Sequence, residues 1–236
     1  MTKTDSSKSK NQEKLIEQMA EAGVHFGHSK SRKNPKIEPF VYGLRNNIVI
    51  IDLQSTAKKL EEALKFIQDT VSTGGKILFV GLRPQSSEIT KKTAEECGMP
   101  YVSERWLGGT LTNFKTIRKR VDHLQDLEKK KKAGELKKYT KREQMLFDEE
   151  ITKLNHTIGG LKELNKLPAA ILVLSIKHCA TAVNESIRKK IPVIGLADTD
   201  SNPTLIDYPI PSNDDVTSAL EFMLNQIKDC IIKNKK

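Results

Sequence analysis

The sequence has no long apolar run. Its 236 residues are 37% hydrophobic and 5% aromatic, with a single Trp. No stretch approaches the roughly 20 apolar residues that cross a bilayer, and MTKTDSSKSKNQEK at the N-terminus lacks the apolar segment of a secretory signal. These absences predict an intracellular protein with no membrane partner. A chain of this length buries a sizeable core, which favours one main domain with an appendage.

Cysteine is also scarce. Cys97, Cys179 and Cys230 are odd in number, far apart, and form no CxxC pair. That spacing indicates neither a disulfide framework nor a cysteine zinc site. Reduced thiols are expected.

Recognisable catalytic motifs are missing too. The segment VGLRPQSSE, residues 80–88, leaves a predicted strand and enters a predicted helix, where doubly wound enzymes hold phosphates. It contains neither GxGxxG nor GxxxxGK[ST], and the chain has no GxSxG elbow. The sequence therefore predicts no catalytic residue. An α/β-fold enzyme or nucleotide-binding protein without a recognisable phosphate loop is the alternative left open.

Charge is abundant and unevenly distributed. The chain carries a formal net charge of +10. Residues 115–142 hold twelve Lys and Arg against four Asp and Glu, and residues 25–45 hold five against one. Residues 191–227 contain six acidic residues and no Lys or Arg. Clustered cations neutralise phosphates, so this polarity favours nucleic acid on one side of the molecule and predicts that the acidic segment faces solvent or a basic protein.

Short apolar runs alternate with helical patterns along most of the chain. This predicts a parallel sheet with helices on both faces, an α/β fold. A final helix is expected from Ser212 or Asn213. The strands are predicted at residues 48–53, 76–81, 101–103, 169–175 and 191–197, and the helices between them at 57–71, from Ser86 or Ser87 to Gly98, and at 179–190.

About 60 residues between the third and fourth predicted strands interrupt this alternation. Ile117, Val121 and Leu124 have coiled-coil spacing, and a similar apolar repeat runs from residue 151 to 161. Between them Thr140, with Glu143 three residues later, predicts a capping box. We predict a protruding coiled-coil hairpin with a lysine-rich tip, which leans on a partner. The hairpin supplies none of the alternating strands and helices, so its deletion is expected to leave the α/β domain folded.

Three further segments carry candidate binding residues. AGVHFGH, residues 22–28, offers His25 and His28, which either pack or bind a metal. RWLGGTLTNF, residues 105–114, is a tight structural corner or presents Arg105 and Trp106 to a nucleotide. In the acidic segment, Asp198, Asp214 and Asp215 are the weak candidates for a divalent metal, with Asp214 and Asp215 alternatively stabilising the first turn of the last helix. No cofactor is otherwise predicted.

Taken in order, these motifs resemble the bacterial-type small-subunit ribosomal protein S-two family. The motifs that carry the resemblance are AGVHFGH, NPK, LRNN, LFVG, RWLGGTLTNF, IPVIGLADTDSNP and IDYPIPSNDD, between about residues 15 and 228. The resemblance implies a flavodoxin-like domain with a coiled-coil hairpin, and a structural role in translation on the small subunit. Its implied partners are ribosomal RNA, neighbouring ribosomal proteins and the messenger-binding protein S-one, in the cytoplasm or an organelle.

The expected RNA-binding residues combine the two basic stretches with positions matching the family motifs. They are His25, His28, Lys30, Arg32, Lys33, Asn34, Lys36, Arg45, Asn46, Arg105, Trp106, Asn113, Lys115, Arg118, Lys129, Lys130, Lys131 and Lys132. The expected domains are a flexible basic arm at 1–14, the α/β domain at 15–110 and 166–232, the hairpin at 111–165 and a basic tail at 233–236. A coiled-coil adaptor for other proteins is a further alternative, but it would not need the positive charge at the hairpin.

Overall fold

The structure, a computed structural model, describes residues 13–235. Most of the predicted flexible arm and the last residue of the predicted tail lie outside the described residues, and the predicted domain boundaries stay a prediction. Residues 13–21 form a helix, α1. No described helix combines the length and the apolar character that crossing a membrane requires.

Between residue 22 and residue 235, six further α-helices and eight strands follow α1. The helices are α2 (Leu53–Ser72), α3 (Pro84–Cys97), α4 (Phe114–Lys132), α5 (Lys141–Ile158), α6 (Ala180–Lys189) and α7 (Thr217–Asn234). The strands are β1 (Phe26–Ser29), β2 (Val41–Arg45), β3 (Ile48–Ile51), β4 (Ile77–Val80), β5 (Tyr101–Val102), β6 (Ala170–Val173), β7 (Val193–Ala197) and β8 (Tyr208–Pro211).

Five strands form a parallel sheet, in the order β5-β4-β6-β7-β8. Numbered along the chain, this is the order 2-1-3-4-5 of flavodoxin-like folds, and its direction of winding changes between β4 and β6. The prediction of an α/β fold with a parallel sheet is confirmed.

The core lies on both faces of this sheet because successive side chains of each strand point to opposite sides. Ile77 and Phe79 of β4 join one buried cluster with apolar residues of α2, α3 and α7. Leu78 and Val80 join a second cluster with α6, α4 and α5. The base of the hairpin therefore covers part of the sheet, although it supplies none of the alternating strands and helices.

A second, three-stranded antiparallel sheet precedes the parallel one, in the order β1-β3-β2. The predicted strand at residues 48–53 forms as β3, but it lies in this sheet and not in the parallel one. Strands β2 and β3 are joined by Asn46 and Asn47, both with positive φ, 48° and 64°. Asparagine tolerates this conformation, which the tightest hairpin turns require.

Strand β8 completes the parallel sheet and was not predicted. Its sequence, YPIP, contains two prolines, which cannot donate to a neighbouring strand. Because β8 lies at the edge of the sheet, one side of it needs no partner there, and Pro209 and Pro211 are tolerated.

Helices α4 and α5 pack against each other as an antiparallel hairpin. Lys131 Nζ lies 2.8 Å from Asp148 Oδ1, and Asn155 Nδ2 donates to Glu128 Oε1 at 2.7 Å. Thr140 and Glu143 form the predicted capping box at the start of α5. The classification of this hairpin as a coiled coil stays a prediction.

Two predicted helix starts are wrong. Helix α7 begins at Thr217, with Val216 at its N-cap, so Asp214 and Asp215 precede its first turn. Helix α3 begins at Pro84 after Arg83, and Ser86 closes the capping box from inside the helix. The predicted end of α3 at Gly98 is confirmed, with φ of 62°.

Candidate nucleic-acid interface

The lysine-rich end of α4 presents its cations to solvent. Lys129, Lys130, Lys131 and Lys132 occupy the last turn of the helix and all are exposed. Lys131 pairs with Asp148 of α5. The other three form no ion pair with any residue between 13 and 235. Cations in the last turn also offset the negative end of the helix dipole, so their clustering there is locally stable.

Closer to the sheet, the hairpin uses its charges internally. Arg118 donates to the backbone carbonyls of Lys162 and Leu164, at 3.2 Å each, and pairs with Asp122 at 2.8 Å. Its side chain is only 22% exposed. Arg118 therefore ties the start of α4 to the segment that follows α5, and its guanidinium is largely engaged before any phosphate arrives.

A second internal contact joins α4, α5 and the segment that follows α5. Lys162 Nζ lies 2.7 Å from Glu128 Oε1 and donates to Asn155 Oδ1 at 2.7 Å. Burial would raise the pKa of Glu128, but hydrogen bonds from Lys162 and Asn155 hold it below its ordinary value. The carboxylate thus stays ionised between the two helices.

The antiparallel sheet and its neighbouring turns carry the second group of exposed cations. Lys30, Arg32, Lys36 and Arg45 are exposed, as is Asn46 at the β2–β3 turn. Lys33 is half-buried and pairs with Glu38. The half-buried Asn34 accepts a hydrogen bond from the backbone N–H of Lys36 at 3.0 Å, so its side chain caps a short 3-10 helix.

His25 lies at the edge of this antiparallel sheet, and no residue from 13 to 235 forms a hydrogen bond with its Nδ1. Its ring packs on that of Phe26, with ring centroids 4.0 Å apart. Burial lowers the pKa of His25, so the ring is mainly neutral at pH 7 and adds no positive charge to the surface.

The RWLGGTLTNF segment is a folded corner whose exposed polar residues are Arg105, Thr112 and Asn113. Trp106 is 7% exposed, and its indole N–H donates to Glu185 of α6 at 3.1 Å. Stacking of Trp106 on a nucleotide would require its removal from the core. Arg105 is exposed, and the exposed Asn113 lies at the N-cap of α4.

The acidic segment folds into a polar centre, which we define as His28, Arg83, Asp198, Asp200, Asp214 and Asp215. Arg83 follows β4, Asp198 follows β7, and Asp214 follows β8, so three members lie at the carboxyl ends of parallel strands. Open α/β sheets bind their ligands at this edge. Here the chain fills it with its own side chains, because β1 brings His28 to the same place.

Short contacts join the members of the polar centre. His28 Nδ1 lies 3.2 Å from Asp198 Oδ2, and His28 Nε2 lies 3.2 Å from Asp215 Oδ2. Arg83 donates to Asp214 Oδ1 at 3.1 Å and pairs with Asp215. Lys177 pairs with Asp200 at 2.7 Å from the rim. Positive and negative groups are thus nearly balanced.

This environment changes the acidity of two members. The hydrogen bond with Asp198 raises the pKa of His28 to about 9, against the effect of burial, and the nearby charges of Asp200 and Asp215 add to the rise. Burial and the charge of Asp198 raise the pKa of Asp214 to about 7. His28 is therefore an imidazolium at pH 7, which is held by carboxylates.

The expectation that the acidic segment faces solvent or a partner is wrong for its central residues. Asp198 and Asp214 are 1% and 2% exposed. Asp207 is exposed, although its carboxylate accepts the backbone N–H of Val193 at 2.9 Å. The physical reason is that His28 and Arg83, which are distant in the sequence, supply the positive charge that residues 191–227 lack.

The polar centre also joins the weak metal candidates to a histidine. Ligand atoms of His28, Asp198 and Asp215 all lie within 4.8 Å of one another, which fits a small cation bound by nitrogen and oxygen. Asp214 is not in this group, and its carboxylate accepts a hydrogen bond from Arg83. A cation would need to displace the proton of His28.

Sequence reasoning missed three residues that organise these surfaces. They are Arg83, Thr199 and Glu185. Thr199 accepts the backbone N–H groups of His28 and Asn34, at 2.8 Å each, through its hydroxyl and its carbonyl. A Cβ on Gly27 would collide with Thr199, so glycine is needed for this close approach. Sequence position could have identified two of them, because Arg83 and Thr199 closely follow buried strands. The carboxyl ends of those strands lie at one edge of the sheet.

Comparison with known proteins identifies a family that covers nearly all of the described residues. The sequence profile of the ribosomal protein S2 family matches residues 19–234. This chain belongs to that family. It is 46% identical over 218 residues to the small ribosomal subunit protein uS2 of Thermus thermophilus, covering 92% of this chain and 85% of that protein. The family match spans both sheets and the hairpin, so the basic surfaces and the polar centre all lie within it.

Proposed function

We propose that this chain is a structural, RNA-binding component of the small ribosomal subunit. Its membership of the ribosomal protein S2 family is the observation that carries the proposal. The exposed lysines at the end of α4 add independent physical support, because unpaired cations gain from releasing the counterions of a phosphate backbone.

The proposed RNA contacts are the side chains that stay exposed and available. In the hairpin these are Lys115, Lys129, Lys130 and Lys132, and near the antiparallel sheet they are Lys30, Arg32, Lys36, Arg45 and Asn46. Arg105 and Asn113 lie on the segment between the two regions. Such contacts position a protein on RNA, and they carry little sequence information.

Other residues predicted to bind RNA receive a supporting role in this proposal. His28, Lys33, Trp106, Arg118 and Lys131 each contact an acidic side chain of the protein itself. Asn34 caps a local turn. We assign to these residues the folding of the surfaces that bear the exposed cations. His25 remains a candidate contact at the edge of the sheet.

Sedimentation of a cell extract tests the proposal directly. An epitope-tagged chain should travel with the small subunit through a sucrose gradient and should remain there after a moderate salt wash. Recovery only at the top of the gradient would contradict a ribosomal role. A matched tagged chain with Lys129, Lys130 and Lys132 replaced by Gln should show weaker retention at the same salt concentration.

The proposed protein partners are neighbouring small-subunit proteins, and the messenger-binding protein S-one is one of them. The buried carboxylates of the polar centre are not proposed as their binding surface, because Asp198 and Asp214 are closed to a partner. We propose the cytoplasmic ribosome as the location. Crosslinking of assembled subunits followed by mass spectrometry would identify the neighbours, and crosslinks exclusively to ribosomal RNA would count against them.

We propose no catalytic activity and no cofactor for this role. The crevice at the carboxyl ends of the sheet contains the polar centre, whose charges pair with each other, so a phosphate there would compete with Asp214 and Asp215 for Arg83. A divalent cation on His28, Asp198 and Asp215 is the alternative for this site. Equilibrium dialysis against zinc, with His28→Asn as control, distinguishes a cation site from a polar centre that is held only by its own ion pairs.

A further inference from the structure

Glu185 connects the parallel-sheet domain to the root of the hairpin. It lies on α6, on which Val183 and Ser186 are also buried. Glu185 is only 6% exposed. Its carboxylate accepts five hydrogen bonds, all from the segment that leads from β5 into α4. That segment, residues 103–113, is called the linker below.

The five donors come from four linker residues. Oε1 accepts the indole N–H of Trp106 at 3.1 Å and the backbone N–H of Gly109 at 2.8 Å. Oε2 accepts the backbone N–H of Leu111, and the backbone N–H and hydroxyl of Thr112, each at 3.0 Å. A carboxylate offers about four lone-pair sites, so both oxygens are saturated.

The donors face one point only because the linker has an unusual shape. Gly109 has φ of 93°, in the left-handed region that favours glycine, and this bends the chain around the carboxylate. Its carbonyl accepts the backbone N–H of Asn113 at 2.8 Å, immediately before α4. The position of Glu185 is thereby transmitted to the first turn of the hairpin.

A side chain that only filled the space at position 185 would not need to be acidic. Burying a carboxylate carries a desolvation cost that an apolar side chain of similar volume would avoid. Burial would raise the pKa of Glu185, but the bonds from Thr112, Trp106, Gly109 and Leu111 hold it below its ordinary value, so the group is ionised. Five directed bonds to one anion specify a single linker conformation.

We propose that Glu185 is a positioning residue for RNA binding: it fixes the direction in which α4 leaves the α/β domain, and so the place of the lysine-rich end. The inference rests on the proposed RNA-binding function. Arg118 holds the other side of the hairpin root, through the carbonyls of Lys162 and Leu164. Loss of the Glu185 contacts leaves one of the two attachments.

The full-length chain with Glu185→Gln tests this. Glutamine keeps the shape but replaces one acceptor oxygen with an NH₂ group, which faces donors. The matched control is Ser186→Ala, the adjacent buried residue, whose hydroxyl donates to the carbonyl of Ala182 within α6. Nitroxide labels at Lys58→Cys on α2 and Lys130→Cys at the hairpin end, in a Cys230→Ser background, report hairpin direction by pulsed electron paramagnetic resonance.

Glu185→Gln should broaden the distance distribution, and Ser186→Ala should leave it narrow. On unlabelled protein, Glu185→Gln should bind deproteinised small-subunit ribosomal RNA about tenfold more weakly, as expected if roughly a tenth of the molecules keep the binding direction. Its salt slope should stay that of the wild type, because no phosphate contact is removed.

A wild-type distance distribution in folded Glu185→Gln would overturn the proposal, as would a broadened distribution with unchanged affinity. Should that variant fail to fold, Trp106→Phe removes a single donor and is read by the same two measurements and criteria. The distance measurement contains no RNA. Failure of the wild-type chain to bind RNA would therefore count against the proposed function, and the distances would still judge the attachment.

Discussion

The distal hairpin and the polar centre use the same kinds of charged residues in opposite ways. At the end of α4, Lys129, Lys130 and Lys132 are exposed and have no acidic partner among the described residues. In the polar centre, Asp198 and Asp214 are buried and each contacts a cation of a distant segment. Charge density in the sequence is high in both places, but only the hairpin has charge left for an external partner.

The charged residues at the hairpin end are available for binding, and those of the polar centre stabilise the fold. Removing an exposed cation costs the protein little stability, since surface charges typically change it by less than about 1 kcal/mol. Removing one member of a buried pair leaves the other member desolvated and unpaired, which is far more costly. Changes at the hairpin end should therefore alter RNA affinity, and changes at the polar centre should alter the free energy of unfolding.

Deletion of the hairpin should have the largest effect on stability. It should also show most clearly where the core ends and the RNA-binding part of the hairpin begins. Removing residues 116–164 uncovers the second core cluster, which includes Ile117, Val121, Leu124, Leu161 and Leu164. At about 1.5–3 kcal/mol for each buried side chain, the loss rivals the 5–15 kcal/mol that stabilises a typical domain. We expect the shortened chain to lose cooperative unfolding in calorimetry.

A smaller excision is the matched comparison. Replacing residues 129–149 by a short Gly-Ser turn keeps all five of those residues and the Arg118 contacts. This variant should unfold cooperatively and bind ribosomal RNA poorly. Cooperative unfolding of the larger deletion would show that the hairpin root is not part of the core.

Substitution of Asp198 by Ala should have the second largest effect. It leaves the His28 imidazolium and the backbone N–H groups of Thr199 and Asp214 without their acceptor. A loss of about 3–5 kcal/mol is expected, as for one partner of a buried pair. Urea unfolding measures it. Asp229→Ala, at an exposed site on α7, is the control and should change stability by less than about 0.5 kcal/mol.

Much of the parallel sheet was predictable because its strands are short apolar runs between helical patterns. Leu78 and Phe79 belong to such a run, and the strand formed as expected. Periodicity does not say which strands pair, so IVII at residues 48–51 was assigned to the wrong sheet. The strand YPIP was missed because proline opposes strand formation except at an edge, and the edge is a property of the whole sheet.

The exposed part of the interface was predictable and the polar centre was not. Four consecutive lysines at the exposed end of an amphipathic helix outnumber the acidic residues beside them, so local sequence suffices there. His28, Arg83, Asp198 and Asp215 come from four separate segments, and only the packing of the two sheets brings them together. Glu185 gave no local signal either, because the four residues that donate its five hydrogen bonds all lie more than 70 residues away.

Neutralising the lysines should change RNA binding and leave stability nearly unchanged. With Lys129, Lys130, Lys131 and Lys132 all replaced by Gln, the logarithmic salt slope of RNA binding should fall by about 2 to 3, since each lost phosphate contact reduces it by roughly 0.7–0.9 and Lys131 already pairs with Asp148. Fluorescence anisotropy across salt concentrations measures the slope. Lys58, Lys91 and Lys92, exposed on α2 and α3, provide a matched control set. An equal fall in both sets would refute a specific role for the hairpin end.

The smallest expected effect is a pH dependence of stability that belongs to the polar centre alone. The pKa of His28 is raised from 6.5 to about 9 by Asp198, so its ion pairs stabilise the fold fully below about pH 6.5, and this contribution is lost as pH rises through about 9. The pKa of Asp214 is raised from 3.8 to about 7, so stability falls through this group as pH rises from about 4 to about 7. That range lies below the pH range in which His28 titrates.

Between pH 7.5 and 9.5 the free energy of unfolding should therefore fall by about 2 kcal/mol in the wild type. In His28→Gln this fall should be absent, because the titrating group is gone. Urea unfolding is measured in the presence of a chelator, so that no bound cation holds the imidazole neutral. Persistence of the fall in His28→Gln would show that the decline arises elsewhere, and the polar centre would then lack the protonated histidine on which its contrast with the hairpin depends.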